Sequence, residues 1–335
     1  MKTSTKVGLG LLAATGALYG TRMLLRKRRR IELRGRVVVI TGASSGLGRL
    51  IARHAASVGA KLVLAARSVG ELTEVAAELR AAGAEDVLVA PTDVTKPEEV
   101  ERLIAQTIAK YGQIDVLINN AGTVLVGPLD AMAAGDFDRV LAVNFWGGVH
   151  ATLAALPHMR AAGFGRIANV VSVGGRAVVP HMAPYTASKY AFTGFTKAIR
   201  PELARHNILV TGVYPGPIRT GAHAHAWFKG DTAAEYAWFA AAETIPGLST
   251  SADACAQAVL EGVCNGDPEV NVGPSTHLSI VMEGLFPDWA AELNTLVDQG
   301  MPAPKNLDAP AVQGQSLAGK VPSLLNKLIP EGARA

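Results

Sequence analysis

The sequence predicts an α/β fold, a single doubly wound parallel sheet of about seven strands with helices on both faces, preceded by an N-terminal membrane-anchor helix. Three observations carry that expectation. From residue 36 onward, short runs of Val, Ile and Leu alternate with stretches of helical spacing. The runs are apolar at every position rather than at alternate ones, so both faces of each strand have to be covered, as in a parallel sheet. A glycine-rich turn joins the first run to the first helical stretch.

Residues 1–33 stand apart. Val7 to Leu25 is mostly apolar, interrupted by Arg22, and runs straight into Arg26-Lys27-Arg28-Arg29-Arg30. As a helix it would be about 28 Å long, close to the roughly 30 Å hydrocarbon core of a bilayer. Arg22 lies near one end, where its side chain can reach the headgroups. A basic cluster resists translocation, so the rest of the chain is expected on the cytoplasmic side. A signal peptide and a surface-lying tail are the competing readings; no clear A-x-A cleavage site supports the former.

The alternation then proceeds in order. Val37-Val38-Val39-Ile40 reads as a buried strand, and Leu47 to Val58 as a helix with Leu47, Leu50, Ile51 and Ala55 on one stripe. Leu62-Val63-Leu64 is a strand, Leu72 to Ala82 a helix stopped by Gly83, and Asp86 to Ala90 a strand. Pro97 opens the next helix at its first turn, and Asp115 to Ile118 is the fourth strand. A helix over Phe145–Ala162, a strand over Arg166–Val171, a helix from Pro184 to His206 and a strand over Ile208–Val213 follow. Pro201 inside the last helix removes a hydrogen bond and predicts a kink beyond Lys189. From Met301 the chain carries five of the 18 prolines and is expected to wrap the surface, with Leu324 to Ile329 docking as a short helix.

Composition excludes several classes. Hydrophobic residues at 49% and charged residues at 18% exclude a disordered chain. Cys255 and Cys264 are the only cysteines, too few for a disulfide scaffold or a cysteine-rich zinc domain. The net charge of +4 comes from the tail: residues 1–30 hold eight Lys/Arg and no acid, leaving 24 basic against 28 acidic groups in the body. Nothing there suggests nucleic acid. His223-x-His225 lacks a third ligand, so no metal is expected. Ala at 56 residues and Arg over Lys by 20 to 12 suggest a GC-rich bacterial genome.

The chemistry-bearing segments lie at strand ends. Thr41-Gly42-Ala43-Ser44-Ser45-Gly46-Leu47-Gly48 follows the first strand, where glycines admit a pyrophosphate and a helix N-terminus offers amides. The second strand ends in Ala66, where an NAD-binding protein would place an acid, and Arg67 follows, suited to a 2′-phosphate. Tyr185 and Lys189 stand four apart on one helix face, and an ammonium near a phenol favours phenolate. Ser172 lies 13 residues before Tyr185, and Asn144 lies 28 before Ser172. Asp93-Val94, Asn119-Asn120-Ala121-Gly122 and Pro215-Gly216-Pro217-Ile218-Arg219-Thr220 close the third, fourth and sixth strands.

The G-x-x-x-G-x-G spacing and the order of these six elements resemble the short-chain dehydrogenase/reductase family in its shorter branch, over about Arg34 to Gly273. The resemblance implies a Rossmann-like fold and an NADP(H)-dependent oxidoreductase acting on a carbonyl or alcohol, in which Tyr185 is the proton donor. Ser172 would hold the substrate oxygen, Lys189 would lower the phenol pKa and bind the nicotinamide ribose, and Asn144 would hold a water leading to solvent. Thr41, Gly42, Ser44, Ser45, Gly46, Leu47 and Gly48 would cradle the pyrophosphate. Arg67, Asp93, Val94, Asn120, Ala121 and Gly122 would line the adenosine side. Pro215, Gly216, Ile218 and Thr220 would hold the carboxamide. Residues 34–275 would be the catalytic domain, 221–248 its substrate loop, and 276–335 a C-terminal extension.

Five of 18 aromatics fall in 221–248, which suits a lipophilic substrate, although a helix pair packed on the core fits equally. Leu278 to Phe286 with Trp289 is a second apolar cluster that would cover the substrate mouth, touch a bilayer or simply be core. An anchor ahead of such a domain is similar to the hydroxysteroid and retinol dehydrogenase arrangement. That points to the cytoplasmic face of a bacterial inner membrane, with homodimer formation common in the family. A 3-oxoacyl thioester reductase and a cofactor-sensing binding protein are the alternatives.

Overall fold

The computed structural model describes residues 16–17, 20–84, 86–244 and 249–317. Most of the apolar run 7–25, and the expected short helix over Leu324 to Ile329, lie outside these residues. Seven parallel strands form the main sheet: β1 (Val37–Thr41), β2 (Lys61–Ala66), β3 (Val87–Pro91), β4 (Val116–Asn119), β5 (Gly165–Val170), β6 (Ile208–Pro215) and β7 (Glu269–Val272). Their order is β7-β6-β5-β4-β1-β2-β3. The winding reverses between β1 and β4, which opens a crevice at their carboxyl ends, where such folds bind ligands.

Side chains alternate across the strands as a two-residue period requires. Val38, Ile40, Leu62 and Leu64 enter one core with α1 (Gly46–Ser57), α2 (Val69–Ala81) and a later helix, Ala252–Asn265. Val37, Val39, Val63 and Ala65 enter the other core, with α3 (Pro97–Tyr111) and α4 (Ala134–Ala162). Each such aliphatic chain contributes about 1.5–3 kcal/mol on burial. At the amino end of the sheet, Asp115 accepts from the Val37 amide (2.9 Å) and from Arg36 Nη1 (2.7 Å), fixing where β1 starts against β4.

Two elements depart from expectation. The helix carrying Asn144 begins at Ala134 rather than Phe145, and a π-type turn over Ala142–Trp146 interrupts it. Gly135, Asp136 and Asp138 conceal its first turns in the sequence. The seventh strand, EVNV, escapes an apolar-run search because Glu269 and Asn271 alternate with its valines. As the spacing predicts, helix α5 (Ala183–Ala204) runs on past Pro201.

The substrate-loop segment folds as a short helix (Ala222–His225), a strand (Trp227–Phe228) and α6 (Thr232–Thr244). Its aromatics are mainly packing. Phe228 and Tyr236 are buried, and Trp238 and Phe239 lie half-buried against the same cluster. Trp227–Phe228 pairs with Leu125–Val126 and, antiparallel, with Val312–Gln313, so the C-terminal extension returns to this region. α7 (Ala252–Asn265), α8 (Pro274–Leu285) and α9 (Pro287–Asp298) follow; α8 and α9 leave Leu278, Leu285, Phe286 and Trp289 exposed. The Leu278–Trp289 cluster is therefore largely surface and not core. Among the described residues one helix, Ala134–Ala162, is long and apolar enough to cross a membrane, but it covers the sheet and carries Asn144.

Candidate active site

The glycine turn after β1 is shaped by contacts that leave no room for side chains. Gly42 has φ +66° and Gly46 φ +51°, values open to glycine. A Cβ on Gly48 would collide with the Gly42 carbonyl oxygen and lie 2.6 Å from Asn120 Nδ2, and one on Gly42 would lie 2.8 Å from Ala121 Cα. Two polar side chains expected at the cofactor also hold this turn. Thr41 Oγ1 accepts from the amides of Asn120 (3.0 Å) and Ala121 (3.1 Å). Asn120 Nδ2 donates to the carbonyls of Thr41 and Gly42, each at 3.1 Å.

The N-terminus of α1 is left open. Ser45, its N-cap residue, makes no side-chain cap bond, and no acid lies in the first turn. Uncapped amides and the helix dipole suit a phosphate. Thr220 faces this turn, its Cβ 3.8 Å from where a Gly46 Cβ would stand. Ile218–Arg219 pairs with Thr250–Ser251, and Gly216 packs so closely on Thr276 that a Cβ would lie 2.6 Å from its hydroxyl. Both segments thus border one mouth.

On the adenosine side, Arg67 is exposed and has no hydrogen bond or ion pair among the described residues. Asp93 Oδ1 accepts from the amide (3.0 Å) and hydroxyl (2.8 Å) of Thr95. Val94 points into the core against Gly147, and its carbonyl meets the His150 ring at 3.2 Å. Its side chain is therefore packing, not lining.

Ser172, Tyr185 and Lys189 come together beyond β5. The Ser172 hydroxyl and the Tyr185 ring meet at Gly174: Ser172 Oγ accepts from the Gly174 amide (3.0 Å) and lies near enough to the phenol to favour its ionised form. Gly174 leaves space for the tyrosine ring, since a Cβ there would sit 3.1 Å from Cε1. Lys189 Nζ donates to the Val170 carbonyl (3.2 Å) and lies 5.6 Å from the Tyr185 ring centroid. The lysine is only 4% exposed and meets no carboxylate among the described residues. Gly122 covers it: a Cβ there would stand 3.7 Å from Nζ and 3.3 Å from Asn144 Oδ1.

Electrostatics differ from the simple expectation. Burial pushes the phenol of Tyr185 up to about 12, against the Ser172 hydroxyl and with the help of the Glu243 charge. Burial likewise pushes Lys189 down to about 7. Desolvation is the largest cause for both groups, so the phenol stands above its ordinary value and not below it.

Asn144 is held on three sides. Its Oδ1 accepts from the Thr123 amide (2.8 Å), and its Nδ2 donates to the Thr123 carbonyl (2.9 Å) and to Ser188 Oγ (3.0 Å). Ser188 in turn donates to the Tyr185 carbonyl (2.7 Å). This chain ties the π-type turn of α4 to the first turn of α5, and a π-type turn often marks such sites. Ser188 and Thr123 escape sequence reading because their role lies in contacts across distant segments. The buried His223–Glu243 pair, 20 residues apart, escapes for the same reason.

A parallel doubly wound sheet, an open helix N-terminus at its switch point and a Tyr–Lys pair beside a serine define a dinucleotide-binding dehydrogenase or reductase. The chain belongs to the short-chain dehydrogenase/reductase family: the family model described as "short chain dehydrogenase" matches residues 36–229. Among curated proteins it is 35% identical to the Dehydrogenase/reductase SDR family protein 7-like of Anopheles gambiae, over 75% of this chain and 79% of that one. It is 32% identical to 11-beta-hydroxysteroid dehydrogenase 1A of Arabidopsis thaliana, over 90% of this chain and 86% of that one. A metagenomic short-chain oxidoreductase solved in complex with NADP shares 31% identity over 72% of this chain and 98% of its own, with a TM-score of 0.59. A Burkholderia phymatum short-chain dehydrogenase/reductase solved in complex with NAD shares 29% identity over 78% of this chain and 96% of its own, with a TM-score of 0.68.

Proposed function

We propose that the chain is an NADP(H)-dependent oxidoreductase that interconverts a carbonyl and a secondary or primary alcohol on a lipophilic substrate. The carrying observation is the meeting of Tyr185, Ser172 and the buried Lys189 next to the uncapped α1 N-terminus. The tight glycine turn and the buried, carboxylate-free lysine fit a nicotinamide dinucleotide. When bound, that cofactor supplies or accepts the hydride. Residues 41–48 would hold its phosphates, Lys189 its nicotinamide ribose, and Ile218 and Thr220 its carboxamide. Arg67 would pair with a 2′-phosphate, because Ala66 offers no carboxylate to repel it.

In the reductive direction Tyr185 gives its phenolic proton to the substrate oxygen. Ser172, beside that phenol, turns its hydroxyl to the same oxygen and holds the carbonyl in line. Asn144 keeps Ser188 and residue 123 in place, so the first turn of α5 stays registered with the turn above Lys189. A binding protein without turnover would have no need for this set.

The reading further places residues 7–25 in a bilayer with the catalytic domain on the cytoplasmic side of a bacterial inner membrane. In support, the basic stretch is clamped to the body: Arg26 Nε bonds Asp267 (3.0 Å), and the Arg29 carbonyl accepts from Arg166 (3.0 Å). Exposed Trp146 and Leu153 on α4 are consistent with a homodimer. The decisive experiment follows NADPH absorbance with a panel of lipophilic ketones and aldehydes. Turnover of at least one of them is expected; binding of NADPH with no turnover across the panel would defeat the proposal.

A further inference from the structure

The basic stretch meets the body at the end of the sheet opposite the site. A helix runs unbroken over 20–29, and its residues 20–25 are all exposed, so it stands clear of the body as far as Arg26. From there it is fastened. Arg26 Nε bonds Asp267 Oδ2 and its Nη2 bonds Glu261 Oε1, each at 3.0 Å. Arg166 Nη2 donates to the Arg29 carbonyl at 3.0 Å, and the Ile31 amide donates to the Cys264 carbonyl at 2.9 Å. Asp267 precedes β7 and Arg166 opens β5, so these bonds lie at the amino ends of the strands. Ser172, Tyr185 and the glycine turn lie at the carboxyl ends. The eight residues of β6 set the two ends about 25 Å apart.

This amino-end face is rich in arginine, and its acids are already engaged. Asp115 holds the Val37 amide and Arg36, while Asp267 and Glu261 face Arg26. Exposed Glu32 and Glu202 are the other acids of these turns. The guanidinium carbons of Arg36 and Arg166 stand 4.4 and 4.7 Å from the centre of the Phe164 ring. Arg200 Nη2 donates to the Gly266 carbonyl at 2.9 Å, and a Cβ on Gly266 would lie 3.6 Å from Arg29 Cβ. Arg166 is 3% exposed, and its Nε is buried with no partner among the described residues. Neither Arg166 nor Arg200 has an ion pair among those residues; backbone carbonyls take their protons. Lys27, Arg28 and Arg30 are exposed and equally without an ion pair among the described residues. A face with this surplus of cations attracts anions from outside the chain.

We infer that the amino-end face of the sheet is a docking surface for anionic phospholipid headgroups, so that the substrate mouth opens away from the bilayer. The inference rests on the anchor reading above. Continuity of the helix selects lipid as the partner. Leu25, the last apolar residue, adjoins Arg26, and Arg29 lies only about 6 Å further along the axis. No linker separates the apolar run from its fastening, so the face that holds Arg26 lies at headgroup depth. There Lys27, Arg28 and Arg30 meet lipid phosphates, and each base near an anionic surface strengthens the attraction about fivefold. The exposed apolar face of α8 and α9 is the rival for the bilayer. It carries Glu283, Asp288, Glu292 and Asp298 with no Lys or Arg over 274–298, and the basic stretch is not fastened to it. A lipophilic substrate then reaches Tyr185 from the aqueous side.

The test reconstitutes the full chain in vesicles of phosphatidylcholine, with or without phosphatidylglycerol, each doped with a lipid whose headgroup nitroxide quenches nearby indoles. The four native tryptophans lie beside Asn144, in the substrate-loop segment and on α9. His206→Trp adds an indole in the exposed turn before β6. The added indole should be quenched more strongly than the native four, and phosphatidylglycerol should at least double its quenching. Lys27→Gln with Arg28→Gln and Arg30→Gln should remove that lipid dependence and leave NADPH binding unchanged. Equal quenching with and without phosphatidylglycerol overturns the headgroup site, as does a triple variant that keeps the dependence. Strong quenching of the native set that disappears in Trp289→Phe puts α8 and α9 on the bilayer and overturns the inference too. Should His206→Trp fail to fold by near-ultraviolet circular dichroism, Ala161→Trp, exposed in the last turn of α4, takes its place under the same criteria. Release of the full chain by a carbonate wash defeats the anchor reading and this inference with it, whereas a retained chain with unquenched His206→Trp defeats this inference alone.

Discussion

Gly48→Ala tests the phosphate turn with a single methyl group. The new Cβ would collide with the Gly42 carbonyl oxygen and stand 2.6 Å from Asn120 Nδ2 and 2.8 Å from the Gly42 carbonyl carbon. Ordinary carbon contacts begin at about 3.5 Å, so the turn has to move by nearly an ångström. It is not free to do so. Asn120 Nδ2 bonds both the Thr41 and Gly42 carbonyls, and Thr41 Oγ1 bonds the following amides. Overpacking of this kind costs about 1–3 kcal/mol, and a displaced turn no longer presents its amides at phosphate distance. Carried into binding, that range is a loss of about 5- to 150-fold in NADPH affinity. Gly70→Ala is the internal control: nothing lies within 4 Å of its Cβ position, and it sits in the first turn of α2. It should leave NADPH affinity alone and stabilise by about 0.5–1 kcal/mol. Fluorescence titration with NADPH and thermal melting of the three proteins decide the matter. Parental affinity in Gly48→Ala would refute the assignment of the turn to phosphate binding.

Three more outcomes follow from the same geometry. Ala66→Asp with Arg67→Ala should shift preference from NADPH toward NADH in kcat/KM; a parent that already prefers NADH contradicts the reading of the exposed Arg67. Burial sets Lys189 at about 7 and Tyr185 at about 12, so the form active in reduction, phenol protonated and lysine charged, is present below pH 7 and lost as pH rises through the lysine value. The kcat/KM for NADPH, which reports the free enzyme, should be level below pH 7 and fall above it, and a profile level to pH 9 would contradict this. Full-length protein should stay in the membrane pellet through a carbonate wash while a chain starting at Arg34 is released; release of the full-length protein would remove the anchor.

The strands were legible where both faces are apolar. Val37 to Ile40 sends alternate residues into two different cores, and no loop or amphipathic helix needs that composition. β7 was not, because Glu269 and Asn271 break the run on an edge strand with one neighbour. The start of α4 was hidden by Gly135 and two aspartates. Pairings of two residues, such as Trp227–Phe228 with Val312–Gln313, have no period to detect. At the site, Tyr185 and Lys189 were legible because a helix repeats locally, and the glycine turn because it follows a strand. Ser188 was not, since its hydroxyl matters only through Asn144, 44 residues earlier. Nor was the level of the Tyr185 and Lys189 pKa values, which depends on how much water the fold removes from both.

The central claim is that Tyr185 supplies the proton of a carbonyl reduction. Tyr185→Phe keeps the ring against Gly174 and removes only the phenolic hydroxyl. Steady-state reduction of the best ketone by NADPH should fall by at least about a hundredfold in the folded variant. A cleanly folded Tyr185→Phe protein that reduces the same ketone at near the parental rate would contradict the account.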